Sequence, residues 1–168
     1  MSVSREVLEE RAARLVEACA NRRVTIATAE SCTGGLVAEA ITSVPGASAV
    51  FLGAIVAYSN AAKTNLLNVP AALIAERGAV SEEVAEVMAR GACAALSAEL
   101  GLAVTGIAGP AGGTAEKPVG RVHIAVAGPR PIVEHYRRLD LGNLSRGEIR
   151  MLSAHALIDL ALSQLDGA

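Results

Sequence analysis

A chain of 168 residues holds one ordinary domain. A domain of that size buries roughly 70% of the surface its unfolded chain exposes, enough to fold without disulfide or metal staples. With 52% apolar and 19% charged residues, the composition excludes a disordered or highly charged tail, and a formal net charge of −2 argues against binding that neutralises nucleic-acid phosphates.

In chain order, Leu8, Ala12, Leu15 and Cys19 recur at helical spacing and predict an amphipathic helix over Ser4 to Ala20. Arg23 to Ala29 is short and β-branched, the pattern of a buried strand. The turn Glu30-Ser31-Cys32-Thr33-Gly34-Gly35 leads into a helix over Leu36 to Ser43, which Pro45-Gly46 breaks. A strand follows over Phe51 to Tyr58, then a helix over Asn60 to Leu67 that stops before Val69-Pro70. Ser81 is placed to cap a helix whose apolar face runs from Val84 to Leu96 and which Gly101 ends. Leu102 to Thr105 reads as a strand, Gly106 to Gly120 as a glycine-rich loop, and Val122 to Ala127 and Ile132 to Leu139 as strands joined by a hairpin through Gly128-Pro129-Arg130-Pro131. The last helix spans Ser145 to Leu165. Helices alternating with strands, then a late hairpin, define one α/β layered domain over residues 1–168 with a mixed sheet.

The three cysteines, Cys19, Cys32 and Cys93, are odd in number and lack C-x-x-C spacing, which fits reduced cytoplasmic thiols. The charged start has no signal-peptide core, and the longest apolar stretch, Ala49 to Tyr58, falls far short of the ~20 residues of a membrane helix. Phe51, Tyr58 and Tyr136 are too few aromatics to stack single-stranded nucleic acid. A mean hydropathy of +0.41 leaves apolar faces to cover, so a homo-oligomer is expected.

Ligands of layered α/β proteins collect at the carboxyl ends of strands. Three segments occupy such positions: Ala29 to Gly35, Tyr58 to Lys63, and Thr105 to Thr114. In the first, free backbone N–H groups at the helix start suit a phosphate or a developing oxyanion. Spacing alone favours Ser31 or Thr33 as a plain helix cap, but the paired glycines Gly34 and Gly35 point to close approach by a ligand. In the second, Lys63 is one of two lysines among 15 basic residues, and lysine, unlike arginine, can give up its proton. A serine with a lysine base is an established nucleophilic pair, whereas a solvated surface lysine is the plainer alternative. The third is neither a Walker A loop nor a G-x-G-x-x-G fingerprint, yet its glycines define a backbone path able to meet an anion. Cys32 is a rival nucleophile, although small buried thiols usually pack. His123, His135 and His155 lack metal-ligand spacing and read as structural or surface residues. Arg130, Arg137, Arg138, Arg146 and Arg150 are candidate phosphate contacts among mostly solvated arginines.

The stretches TAESCTGGLVAEAIT (Thr28 to Thr42), YSNAAK (Tyr58 to Lys63), GAVSEEV (Gly78 to Val84), TGIAGPAGG (Thr105 to Gly113) and EKPVG (Glu116 to Gly120) together resemble the CinA C-terminal domain family. The resemblance implies a three-layer α/β/α fold with a mixed sheet. It also implies the activity of the family's stand-alone nicotinamide-nucleotide amidohydrolases, since the N-terminal domain of two-domain members is absent here. The implied reaction converts nicotinamide mononucleotide (NMN) to nicotinate mononucleotide and ammonia, with no metal or other cofactor. Ser31 would be the nucleophile, Lys63 its base and Thr105 a hydroxyl assisting Ser31 or the oxyanion. Backbone groups around Thr33 and Gly34 would donate to that oxyanion. Gly106, Gly109, Gly112 and Gly113 would shape the nucleotide pocket. Tyr58 would offer a ring face to the pyridinium or else pack in the core. An aromatic-x-Gly-Asp-Arg element common before the family's last helix is replaced here by Leu141 to Arg146, in which Arg146 stands nearest that arginine. Two alternatives keep the pocket: a module that binds a pyridine nucleotide without turnover, and an amidohydrolase of another nucleotide-linked carboxamide.

Overall fold

In the computed structural model, which describes residues 3–128, 134–142 and 144–166, Ser4 accepts a hydrogen bond from the Val7 N–H and opens α1 (Arg5–Arg22). The chain continues through β1 (Ile26–Glu30), α2 (Leu36–Thr42), a 3₁₀ turn (Ala47–Ala49) and β2 (Phe51–Val56). Helices α3 (Asn60–Leu67), α4 (Ala71–Arg77) and α5 (Glu82–Leu96) come next, followed by β3 (Leu100–Gly106), β4 (Arg121–Ala127), β5 (Glu134–Asp140) and α6 (Arg146–Asp166). Ser81 caps α5 as the sequence predicts, accepting from Val84 N–H, and Ser59 likewise opens α3, accepting from Ala62 N–H. The proposed hairpin connection from Pro129, with Ile132 and Val133, lies outside the described residues.

The strands form a five-stranded sheet in the order β2-β1-β3-β4-β5, with β1 parallel to both neighbours and β4 antiparallel to both of its own. The two faces of this sheet differ in bulk. Ile26, Leu100, Leu102, Val104, Val122, Ile124 and Val126 pack under α1, α2 and α6. Ala27, Ala29, Ala103, Ala125 and Ala127 pack under α3, α4 and α5. The result is a three-layer α/β/α domain with a mixed sheet, as expected from the sequence.

The alanine face lets α5 lie close on the sheet. A Cβ on Gly101 would stand 2.0 Å from the Ala89 carbonyl of α5. Gly101 is therefore part of β3 rather than the end of α5, which stops at Ser97 in the left-handed conformation (φ 54). The sequence reading also passed over α4, whose start falls directly after Pro70 at its N-cap. One layer further out, a Cβ on Gly91 would stand 2.3 Å from the Leu67 carbonyl at the end of α3. Two glycines thus set the stacking of sheet, α5 and α3, and with it the height of α3 above the strands.

Among the histidines, His123 is buried on β4 and shares a 2.7 Å hydrogen bond between Nδ1 and the Tyr136 hydroxyl. Burial, reinforced by Arg121, Lys117 and Arg138, pushes it down to about 4, so it is neutral at pH 7. Its place in the structure is a buried contact with Tyr136 across the β4–β5 pair.

Gly91→Ala forces α3 off α5 and should cost about 1–3 kcal/mol of stability, read from the urea midpoint. An unchanged midpoint would contradict this account of the α3–α5 crossing.

Candidate active site

The three polar segments singled out in the sequence meet at the carboxyl ends of β1, β2 and β3. Glu30 pairs with both Val56 and Val104 in register, the Ala57 N–H donates to the Glu30 carbonyl, and the Ser31 N–H donates to the Val104 carbonyl. Strand alternation sends Thr28 and Glu30 to the bulky face, so the next residue, Ser31, turns to the alanine side, where α3 lies. On α3, Lys63 and Leu67 are one turn apart and both face inward.

Lys63 is 1% exposed. Its Nζ lies 2.9 Å from Ser31 Oγ and 2.8 Å from the Ala57 carbonyl. Burial pulls its pKa below the ordinary 10.5, with Cys32 opposing the shift. A neutral amine has N–H bonds and one lone pair. With an N–H given to the Ala57 carbonyl, the lone pair is free to accept the Ser31 O–H. The surface-lysine alternative is thereby excluded. Cys32, next to Ser31, is 5% exposed, and burial pushes its thiol up to about 11. At pH 7 Cys32 therefore stays a thiol. Lys63 Nζ lies against the Ser31 hydroxyl.

A cavity of about 210 Å³ opens over the pair, lined by Ser31, Lys63, Thr105, Gly106, Tyr58 and Arg146 among others. That is smaller than the ~300–1,000 Å³ typical of small-molecule sites. Thr105 lies in the wall, but its hydroxyl donates to the Ala79 carbonyl at 2.8 Å and not to Ser31. In this state it holds the segment before α5 against the site.

Arg146 guards the mouth. Ser145 and Glu148 form a capping box at the start of α6, with the Ser145 N–H donating to the Glu148 carboxylate and the Glu148 N–H to Ser145 Oγ. Arg146 is therefore the first helical residue. Its Nη2 donates to the Tyr58 hydroxyl at 2.8 Å and its Nη1 to the Gly109 carbonyl at 2.7 Å. Tyr58 is 61% exposed, so the core-packing alternative for its ring does not hold.

Other expectations need correction. The helix-start amides are not open to a ligand: Gly34 N–H donates to the Ser31 carbonyl, and Gly35, Val37 and Ala38 N–H donate to the Glu30 carboxylate. Gly34 is thus excluded as an oxyanion donor here. Gly112 and Gly113 do not line the cavity. A Cβ on Gly113 would stand 2.7 Å from Val119 N, and one on Gly109 would stand 2.5 Å from Val119 Cγ1, so these glycines serve the packing of the loop on itself. Arg150, grouped with the solvated arginines, instead donates from Nη2 and Nε to the Thr33 carbonyl at 2.7 and 3.2 Å. Its signal was its place one helical turn after Arg146. Arg138 pairs with Asp140, while Arg130 and Asn143 lie outside the described residues. Glu30, fully buried at the end of β1, was not singled out, though an acid closing an apolar strand is itself a signal. Among the described residues no group of three His, Cys, Asp or Glu is placed to hold a metal, and no helix is long and apolar enough to cross a membrane.

Fold and site together define a three-layer α/β/α protein with a buried serine–lysine pair at the strand ends. The model of the CinA C-terminal domain matches residues 8–165, and the chain belongs to that family. It is 58% identical over 124 residues to a CinA-like protein of Anaeromyxobacter sp. (strain Fw109-5), covering 74% of this chain and 30% of that protein. It is 46% identical over 145 residues to one from Prochlorococcus marinus, covering 86% and 34%. The chain thus spans about a third of these curated relatives. The crystal structure of the competence/damage inducible protein CihA from Agrobacterium tumefaciens matches with TM-score 0.91 at 38% identity, covering 98% of each chain.

At pH 7 a maleimide should modify the half-buried Cys93 well before Cys32 in the native protein. Peptide mapping that finds Cys32 labelled first would contradict its burial and raised pKa.

Proposed function

We propose that the chain hydrolyses the carboxamide of NMN, yielding nicotinate mononucleotide and ammonia. The observation that carries this reading is the 2.9 Å contact between Ser31 Oγ and a buried Lys63 amine at the floor of a cavity. Amide hydrolysis needs an activated nucleophile, a stabilised oxyanion and a proton for the departing nitrogen.

Ser31 Oγ attacks the carboxamide carbon as its proton passes to Lys63 Nζ, and the carbonyl π electrons move onto oxygen. The backbone N–H groups of Cys32 and Thr33, which precede the amides engaged by Ser31 and Glu30, stabilise that oxyanion. Collapse breaks the C–N bond, the Lys63 ammonium protonates the leaving nitrogen, and ammonia departs from an ester on Ser31. Water, deprotonated by the restored amine, attacks the ester; the C–O bond to Ser31 breaks and the serine recovers its proton from Lys63. The Ala57 carbonyl holds the amine in line throughout and stabilises its transient charge.

The size of the cavity supports entry by the pyridine ring with the ribose phosphate left at the mouth. There Tyr58 offers an exposed ring and Arg146, with two of its five donors engaged, retains donors for a phosphate. The reading includes neither nucleic acid nor membrane as a partner. Free thiols at Cys19, Cys32 and Cys93 support a reducing, cytoplasmic setting. Exposed Leu52, Val56 and Leu66 support self-association.

Purified protein should release ammonia from NMN, and Ser31→Ala should lower kcat on the order of 10⁴–10⁶-fold while retaining NMN binding. Lys63→Arg should lose about 10²–10⁴-fold, since a fixed charge takes up no proton. NMN binding without ammonia release by wild-type protein would favour the sensing module, and turnover of a different nucleotide carboxamide in preference to NMN would reassign the substrate.

Activity should also rise with pH as Lys63 deprotonates. The acid limb of kcat/KM should lie below the ordinary lysine value of 10.5, because burial favours the neutral form. A profile still climbing at pH 10.5 would reject Lys63 as the base.

A further inference from the structure

β1 ends by sending two consecutive side chains to opposite faces of the sheet, and the mechanism uses only one of them. Glu30 is 0% exposed. Its Oε2 accepts from Thr33 Oγ1 at 2.7 Å, Gly35 N at 3.0 Å and Val37 N at 3.1 Å. Its Oε1 accepts from Ala38 N at 2.8 Å and Thr28 Oγ1 at 3.4 Å. A carboxylate is tolerated in the interior only with such a set of donors. The set has a second meaning. A helix begins with amides that lack partners, and the N-cap of α2 is Gly35, which has no side chain with which to cap. The cap is supplied from the end of the strand before it.

We propose that Glu30 is a positioning residue for Ser31. Its carboxylate ties the first turn of α2 to the end of β1, so residues 31–34 are held from both sides. Without that tie the turn runs into Gly34 and Gly35, both in the left-handed region (φ +61 and +98), which permit many other paths. With it, the Gly34 N–H reaches the Ser31 carbonyl, Arg150 reaches the Thr33 carbonyl, and Ser31 Oγ stays 2.9 Å from Lys63. Glu30 touches no reacting atom. It acts through the direction of the Ser31 hydroxyl and of the Cys32 and Thr33 amides, and it keeps the helix start from binding an anion. This inference rests on the Ser31–Lys63 reading above.

Glu30→Gln preserves shape but turns one acceptor into an NH₂ facing other donors. Folded Glu30→Gln protein, checked by circular dichroism, should lose about 100-fold in kcat for ammonia release from NMN while KM stays within about threefold. The acid limb should keep its position, since the base is untouched. A second readout is independent of the substrate: an alkyl fluorophosphonate, which forms an Oγ–P bond as fluoride leaves, should label Ser31 about 100-fold more slowly in the variant. Slower labelling with no NMN turnover by the wild type would sink the substrate assignment and uphold Glu30. Equal labelling and equal kcat in the two proteins would overturn the role of Glu30 and leave the substrate assignment standing. Should Glu30→Gln not fold, Thr33→Val removes the shortest contact to the carboxylate. A slower kcat and slower labelling at unchanged KM then support the proposal, and wild-type values of both overturn it.

Discussion

Withdrawing an amine from water decides what this site can do. An ammonium removed from solvent is strongly disfavoured unless paired. Lys63 has a serine hydroxyl and a backbone carbonyl beside it, so its neutral form gains over its charged form. The same dryness is what the proposed role of that amine as base for Ser31 draws on. Much of the architecture maintains this one enclosure. Alanines on one sheet face and Gly101 bring α5 close to the strands, and Gly91 brings α3 close to α5. A bulkier face would lift α3 and carry the amine away from the serine.

Alternation along β1 separates support from chemistry. Glu30 accepts the opening amides of α2 and the Thr28 hydroxyl, while Ser31 faces Lys63 across the sheet edge. Cys32, the neighbouring thiol, shares the burial that favours Lys63 as a neutral amine, but for a thiol burial disfavours the reactive form. One environment therefore favours the neutral amine of Lys63 and the neutral thiol of Cys32.

The mouth is built from both helical layers. Tyr58 precedes α3 on one side of the sheet and Arg146 begins α6 on the other, and their hydrogen bond spans the strand ends. The Gly109 carbonyl, from the loop between β3 and β4, receives the other arm of the same guanidinium. Glycines in that loop, expected to cradle a ligand, instead allow the loop to fold against Val119 and so present this carbonyl.

Periodicity, caps and glycine placement were enough to define the layered fold, because each reports a local energy: apolar runs in strands, helical repeats, and the serine cap at Ser81. The motif residues Ser31, Lys63 and Thr105 were legible for the same reason, each standing at a strand end or helix start. Contacts between segments distant in sequence were not legible. Gly101 reads as a helix stop until Ala89 is seen pressed against it, Arg150 as a solvated arginine until the Thr33 carbonyl comes within reach, and Glu30 as one acid among many until five donors converge on it. Thus sequence was enough for most of the elements, for the family and for the candidate side chains Ser31 and Lys63. Only the tertiary structure decided which hydroxyl has the lysine, which amides are already taken and which way Thr105 points, because these depend on desolvation and distance between segments far apart along the chain.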